Sequence, residues 1–188
     1  MRFHFGWRKE QKSSKHTNEI LNETIELDAT EDSSTEEVTT PTRILFFGNQ
    51  EEVSSLYSLF LRSKGYEVFQ FPSPATCALI KEKACTCPRD YVCADMMVAD
   101  MDMEGMSGLE LIRHQEERGC RALPEHKAVI SKGLTLSQEH EAAVLGCKTL
   151  LKPFRLMDLM DWVKKCEQRI PSNRKLTPHD ELQESGQK

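Results

Sequence analysis

The sequence predicts an α/β fold, a doubly wound five-stranded parallel sheet with helices on both faces. Two observations carry this. Between residues 43 and 170, short apolar runs alternate five times with segments whose apolar residues recur at helical spacing. Such alternation builds βαβ units, whose crossovers are right-handed and cover both sides of a sheet. The clearest runs, Ile44-Leu45-Phe46-Phe47 and Met96-Met97-Val98-Ala99, are apolar without a break, as strands buried on both faces are.

Each element has its own reason. The first strand, 44–47, ends at Gly48-Asn49. Val53, Leu56, Tyr57, Phe60 and Leu61 then recur on one helical face. Gly65 suits the left-handed position that stops that helix. The second strand is placed at 66–70. Pro72-Ser73-Pro74 forms a turn, with Ser73 positioned to cap a second helix that runs to about residue 83. The third strand is 95–100 and the third helix runs from 108 to 118. Residues 127–131 form the fourth strand, and the fourth helix, 136–145, stops at Gly146. The fifth strand is 148–151. The fifth helix follows Pro153 and puts Leu156, Leu159, Met160 and Val163 on one face. Five units of this size take the flavodoxin-like order 2-1-3-4-5, with a switch point between the first and third strands.

Charge sets the limits of the domain. Residues 1–15 carry five Lys/Arg against one acid, and 16–40 carry eight acids and no Lys/Arg. Ser, Thr and Glu dominate 28–40, a composition that buries too little surface to offset chain entropy. The expected organisation is a disordered charged arm (1–41), a folded domain (42–170) and a disordered tail (171–188). Phe3, Phe5 and Trp7 alternate with basic residues, which fits either a docking arm or a solvated tail. No apolar stretch is long enough to span a membrane, and the start lacks a secretory h-region. Seven cysteines, an odd number, argue against a disulfide framework. A cytoplasmic location is expected. The body is not basic and has no helix-turn-helix or zinc-finger spacing, so no nucleic-acid partner is expected. Cys85, Cys87 and Cys93 form C-x-C-x5-C rather than the C-x2-C of zinc sites. Reduced thiols and a metal- or redox-sensing cluster with Cys120 and Cys147 both stay open. Cys77 and Cys166 are placed in helices as packing residues.

The chemistry centres on Asp100. It closes the third strand, at the edge where open α/β sheets place their ligands. Taken alone, it reads as a turn or helix-cap acid, the commoner role of an aspartate at a strand end. Ser131, however, closes the fourth strand, and Lys152-Pro153 follows the fifth. One carboxylate, one hydroxyl and one ammonium then share an edge, a set suited to accepting a phosphoryl group.

Four pieces of sequence recur in order: Asp95-Met96-Met97-Val98-Ala99-Asp100, Gly105-Met106-Ser107-Gly108-Leu109-Glu110-Leu111, Val129-Ile130-Ser131, and Leu150-Leu151-Lys152-Pro153-Phe154. With them the chain resembles the receiver domain of two-component response regulators, across residues 43–168. The resemblance implies that Asp100 is the phosphoacceptor, supplied by a sensor histidine kinase or phosphotransfer protein. Lys152 would neutralise the phosphoryl group, Ser131 would donate its hydroxyl, and the Lys152–Pro153 bond would be cis. It implies Mg²⁺ on the Asp100 carboxylate and the Asp102 backbone carbonyl, with Asn49 as a further oxygen. The module would not be an enzyme in its own right. It would signal to a downstream effector through the face of the fourth helix, fifth strand and fifth helix, with no output domain after that helix.

The chain also departs from the family. Receivers usually carry two acids where Gly48 and Asn49 stand, so Mg²⁺ should be held weakly and phosphorylation impaired. Glu51, Glu52 or the Asp102 side chain could reach the ion instead, although the two glutamates also suit a helix start. Thr149 stands where the family often has a mobile aromatic, and Glu104 where it often has proline. The alternative is a phosphorylation-independent pseudo-receiver, a protein–protein interaction module with a silent pocket.

Overall fold

The computed structural model describes residues 40–48, 53–81 and 91–182. The expectations for most of the charged arm, for Asn49, Glu51 and Glu52, and for Cys85 and Cys87 lie outside the described residues. Five strands, β1 (Arg43–Phe47), β2 (Glu67–Phe71), β3 (Met96–Asp100), β4 (Lys127–Ser131) and β5 (Lys148–Leu151), form one sheet. All pair in parallel, in the order β2-β1-β3-β4-β5. The helices are α1 (Val53–Ser63), α2 (Ala78–Lys81), α3 (Gly108–Glu117), α4 (Leu136–Val144), α5 (Leu156–Glu167) and α6 (His179–Leu182). The sequence-predicted architecture and strand order are the observed ones.

Successive strand side chains point to opposite faces, and the sheet sorts its apolar residues accordingly. Ile44, Phe46, Met96, Val98 and Ile130 pack with Tyr57 and Leu61 of α1 and with Leu159 and Val163 of α5. Leu45, Phe47, Met97, Ala99 and Val129 face the other way, onto Leu109 and Ile112 of α3 and Ala142 of α4. Full burial of each large apolar side chain contributes about 1.5–3 kcal/mol. These two layers therefore hold the sheet edge, and the groups on it, in place.

Three expectations need correction. The second helix does not start from a Ser73 cap, and its expected end at residue 83 lies outside the described residues. Pro74–Thr76 makes a short 3-10 turn, Ser73 caps nothing with its side chain, and Cys77 is extended between this turn and α2. The Thr76 hydroxyl donates to the Ser73 carbonyl at 2.7 Å, a local bond that competes with helix continuation. Cys77 is buried, as expected, but between helices. Strand β2 starts at Glu67 rather than Tyr66, because the Tyr66 N–H still bonds the Leu61 carbonyl at the end of α1.

The third correction concerns the tail. Residues 171–182 pack on the domain. Leu176 bridges Val92 in parallel, the Val92 N–H donates to the Lys175 carbonyl at 2.9 Å, and the Thr177 N–H donates to the Val92 carbonyl at 2.9 Å. Leu182 of α6 is fully buried. Arg174 forms an ion pair with Asp95, whose side chain is only 2% exposed, and also donates to the carbonyls of Thr40 and Pro41. The physical reason is that Asp95, buried just before β3, requires a counter-charge, and the polar segment supplies it.

Replacing Arg174 by Met leaves the Asp95 carboxylate with the Arg43 N–H, 2.8 Å away, and no cation. A loss of about 3 kcal/mol is expected in urea unfolding. The double variant Asp95→Asn/Arg174→Met should recover part of that loss, since the uncompensated charge is gone.

Candidate functional site

The carboxyl edge of the sheet brings three chain segments together. Asp100 ends β3 and lies opposite Ile130 in the register, while Ser131 ends β4 and lies opposite Leu151. The Lys152 N–H donates to the Ser131 carbonyl at 2.7 Å, which carries the β4–β5 ladder one residue beyond the strand. The Lys152 ammonium donates to Asp100 Oδ2 in an ion pair, and Asp100 Oδ1 accepts from the Asp102 N–H at 3.1 Å. The two charged side chains are 9% and 19% exposed, so solvent screens their attraction less than it would on the open surface. The pair is nonetheless open enough for an incoming anion to reach.

The loop carrying Lys152 is anchored on both sides. Its backbone is tied to Ser131, and two residues later Phe154 stacks on Tyr57 of α1, with ring centroids 4.4 Å apart and planes 15° from parallel. The Lys152–Pro153 peptide is cis. Arg155, which precedes α5, is fixed by Asp158.

On the other side of Asp100, Gly108 opens α3. A Cβ there would lie 2.9 Å from the Asp100 carbonyl oxygen and 3.1 Å from that of Ala99. Only glycine lets the helix start this close to the strand end. Ser107 and Glu110 form a reciprocal capping box, with bonds of 3.3 Å and 2.8 Å. The Ser107 backbone and side-chain bonds hold the Glu110 carboxyl below its usual range. Both features escaped the sequence reading. The Ser107-x-x-Glu110 spacing was legible as a cap, whereas the role of Gly108 depends on contact with Asp100 and carries no local signal.

Of the three expected groups, Asp100 and Lys152 are in direct contact. Ser131 is at the same edge and buried, but its hydroxyl donates to the Gly133 carbonyl at 2.6 Å and accepts from the Gly133 N–H at 3.1 Å. It closes its own turn. The side chain of Asp102 is exposed. At the end of β1, Gly48 offers no side-chain oxygen, and its N–H donates to the Phe71 carbonyl at 2.9 Å. Among the described residues no group of three or more His, Cys, Asp or Glu is arranged to hold a metal ion. The Asp100 carboxylate and the adjacent Asp102 do supply hard oxygens, and magnesium is content with one or two carboxylates when waters and phosphoryl oxygens complete its octahedron. The residues therefore fit a loosely held ion.

Four of the described cysteines sit against the protein interior, while Cys120 is partly exposed. Burial pushes the Cys147 thiol up to about 11 and the Cys166 thiol up to about 12. Cys77 and Cys93 are buried as well.

No protein-family model matches the chain, and no curated protein matches it. Solved structures do. A CheY-like response regulator receiver domain protein from Methanospirillum hungatei aligns with a TM-score of 0.54 at 19% identity, covering 69% of this chain and 97% of that one. A response regulator receiver protein from Pseudomonas putida gives 0.54 at 22% identity, covering 68% and 99%. The receiver domain of a sensor histidine kinase from Pseudomonas aeruginosa, with a magnesium ion coordinated in its active site cleft, gives 0.51 at 16% identity, covering 67% and 97%. The chain has the receiver-domain fold. No described helix is long and apolar enough to cross a membrane.

Two outcomes follow from this geometry. Gly108→Ala should lower stability by about 1–3 kcal/mol in chemical denaturation, as α3 is pushed off the strand end. At pH 8 the Cys147 and Cys166 thiolates are scarce, since burial disfavours the charged form. Iodoacetamide should therefore label both far more slowly in the native protein than in urea, as read by peptide mass mapping.

Proposed function

We propose that this receiver-fold domain accepts a phosphoryl group on Asp100 from the phosphohistidine of a sensor histidine kinase or phosphotransfer protein, and relays the change to a downstream effector. The observation that carries the reading is the Asp100–Lys152 ion pair at the carboxyl edge of the sheet. An Asp100 carboxylate oxygen bonds to phosphorus as the phosphorus–nitrogen bond of the donor breaks. The electron pair leaves on the imidazole nitrogen, which takes up a proton. The product is an acyl phosphate.

The protein's part in such a transfer is positioning and charge neutralisation. Lys152, already anchored beside the nucleophile, follows the negative charge from the carboxylate to a phosphoryl oxygen. Ser131 gives its hydroxyl to another oxygen by exchanging its bond to Gly133. A magnesium ion, held by the Asp100 carboxylate and the Asp102 carbonyl with Asn49 as a further oxygen, would neutralise the remaining charge. Gly48 makes that ion's hold weak. The output surface is formed by α4, β5 and α5, where Leu136, Val144, Leu151 and Met157 are all exposed, an apolar display suited to an effector protein. The role is signalling rather than turnover.

A second reading, a phosphorylation-independent interaction module, is favoured by one observation. The Asp100 charge is already met by Lys152, and the Ser131 hydroxyl is already satisfied by Gly133. The pocket is balanced without a phosphoryl group.

Acetyl phosphate and Mg²⁺ separate the two readings. Intact mass should show one added phosphoryl group on the wild-type chain and none on Asp100→Asn, with Lys152→Met slowed at least tenfold. Gly48→Asp should lower the Mg²⁺ requirement about tenfold, the equivalent of roughly 1.4 kcal/mol. If the wild-type chain takes up nothing at saturating Mg²⁺ while Gly48→Asp does, the interaction module is the correct reading of the natural chain.

A further inference from the structure

At the opposite end of β3 lies a second cavity, of about 640 Å³, within the size range of small-molecule sites. Asp95 precedes β3 and Asp100 ends it, so at ~3.3 Å per residue the two edges are about 17 Å apart. This cavity is therefore separate from the pocket of the proposed phosphoryl transfer. Its walls come from the segment entering β3, the 3-10 turn before β4, the end of α5 and the ordered segment 171–175.

Its lining has a marked charge bias. Four cationic side chains (Arg121, Arg169, Arg174 and Lys175) face one carboxylate, Asp95. Arg174 is matched by Asp95, and Arg169 by Glu125. Among the described residues, no carboxylate lies within ion-pair distance of Arg121 or Lys175. Both are exposed, at the mouth of the cavity, and Lys175 also lies 5.8 Å from the Tyr91 ring centroid. Leu123 and Ile170 supply apolar wall.

His126 also lines the cavity and is 4% exposed. Its Nδ1 lies 3.1 Å from the Asp95 carbonyl oxygen. That oxygen only accepts, so Nδ1 carries the proton of the bond. Nε2 is buried with no hydrogen-bond partner. The His126 ring is thus part of the cavity wall, beside the space an occupant would fill.

We propose that this cavity binds a small organic anion, an apolar ring or chain bearing one carboxylate or phosphate. The anionic group sits at the mouth on Arg121 and Lys175, and the body lies against Leu123 and Ile170 beside His126. The unmatched cations reject neutral and cationic analogues, and the volume excludes macromolecules from the interior.

The test uses three naphthalene probes on the full chain at low salt: 2-naphthoate, 2-naphthyl phosphate and neutral 2-naphthol. Calorimetry should show saturable binding of at least one anion, with 2-naphthol at least tenfold weaker. The tighter anion identifies the preferred head group. Arg121→Glu/Lys175→Glu, two exposed positions that leave the core intact, should weaken the anion at least tenfold. Long-range nitrogen–proton spectra should show the His126 Nε2 resonance moving during titration, and Asp100→Asn should bind the probe as the wild-type chain does. The proposal is overturned by the absence of saturable binding, by equal affinity for 2-naphthol, by charge reversal without effect, or by saturation that leaves His126 unmoved.

Discussion

The reach of one lysine across a strand organises this molecule. Asp100 and Lys152 belong to β3 and to the residue after β5, and β4 lies between them. Adjacent strands are about 4.8 Å apart, so the two backbones are separated by about 10 Å. Only a long side chain closes that gap, and only if both strands end at the same height. The parallel order, the register that sets Asp100 beside Ile130 and Ser131 beside Leu151, and the bond from the Lys152 N–H to Ser131 all serve that condition. Gly108 on one flank and the Phe154–Tyr57 stack on the other keep neighbouring helices from disturbing it.

The sheet was legible because burial on both faces writes itself into composition. Met96 to Ala99 has no polar interruption, and the observed bounds of β4 and β5 are those the sequence predicts. Errors fell where a local polar bond outweighed apolar spacing, as at Thr76 and Tyr66. The meeting of Asp100 and Lys152 was readable because each stands at a fixed place relative to an apolar strand. The engagement of the Ser131 hydroxyl by Gly133 was not, since a serine at a strand end can turn to its own backbone or to a neighbour with little change in sequence. Least legible was the segment after α5. Arg174 and Asp95 are 79 residues apart, and nothing in a polar stretch announces that one of its arginines answers a buried carboxylate.

Strand β3 thus runs between two aspartates in opposite electrostatic conditions. Asp95 is enclosed, bonded to the Arg43 N–H and matched by a guanidinium that is itself 12% exposed. Its bonds are permanent structure. Asp100 has one backbone donor and one ammonium on a long side chain, at an edge an incoming group can reach. The same residue type becomes a fastener at one end and an exchangeable site at the other, according to how many fixed donors surround it.

Arg174 has a topological consequence beyond its charge. By holding the carbonyls of Thr40 and Pro41 as well as Asp95, it clasps the polypeptide where it enters the sheet to the polypeptide where it leaves α5. Entry and exit are thereby neighbours on the rim remote from Asp100. Rejoining the chain there, by circular permutation or by insertion into a host protein, would leave the Asp100 rim unobstructed.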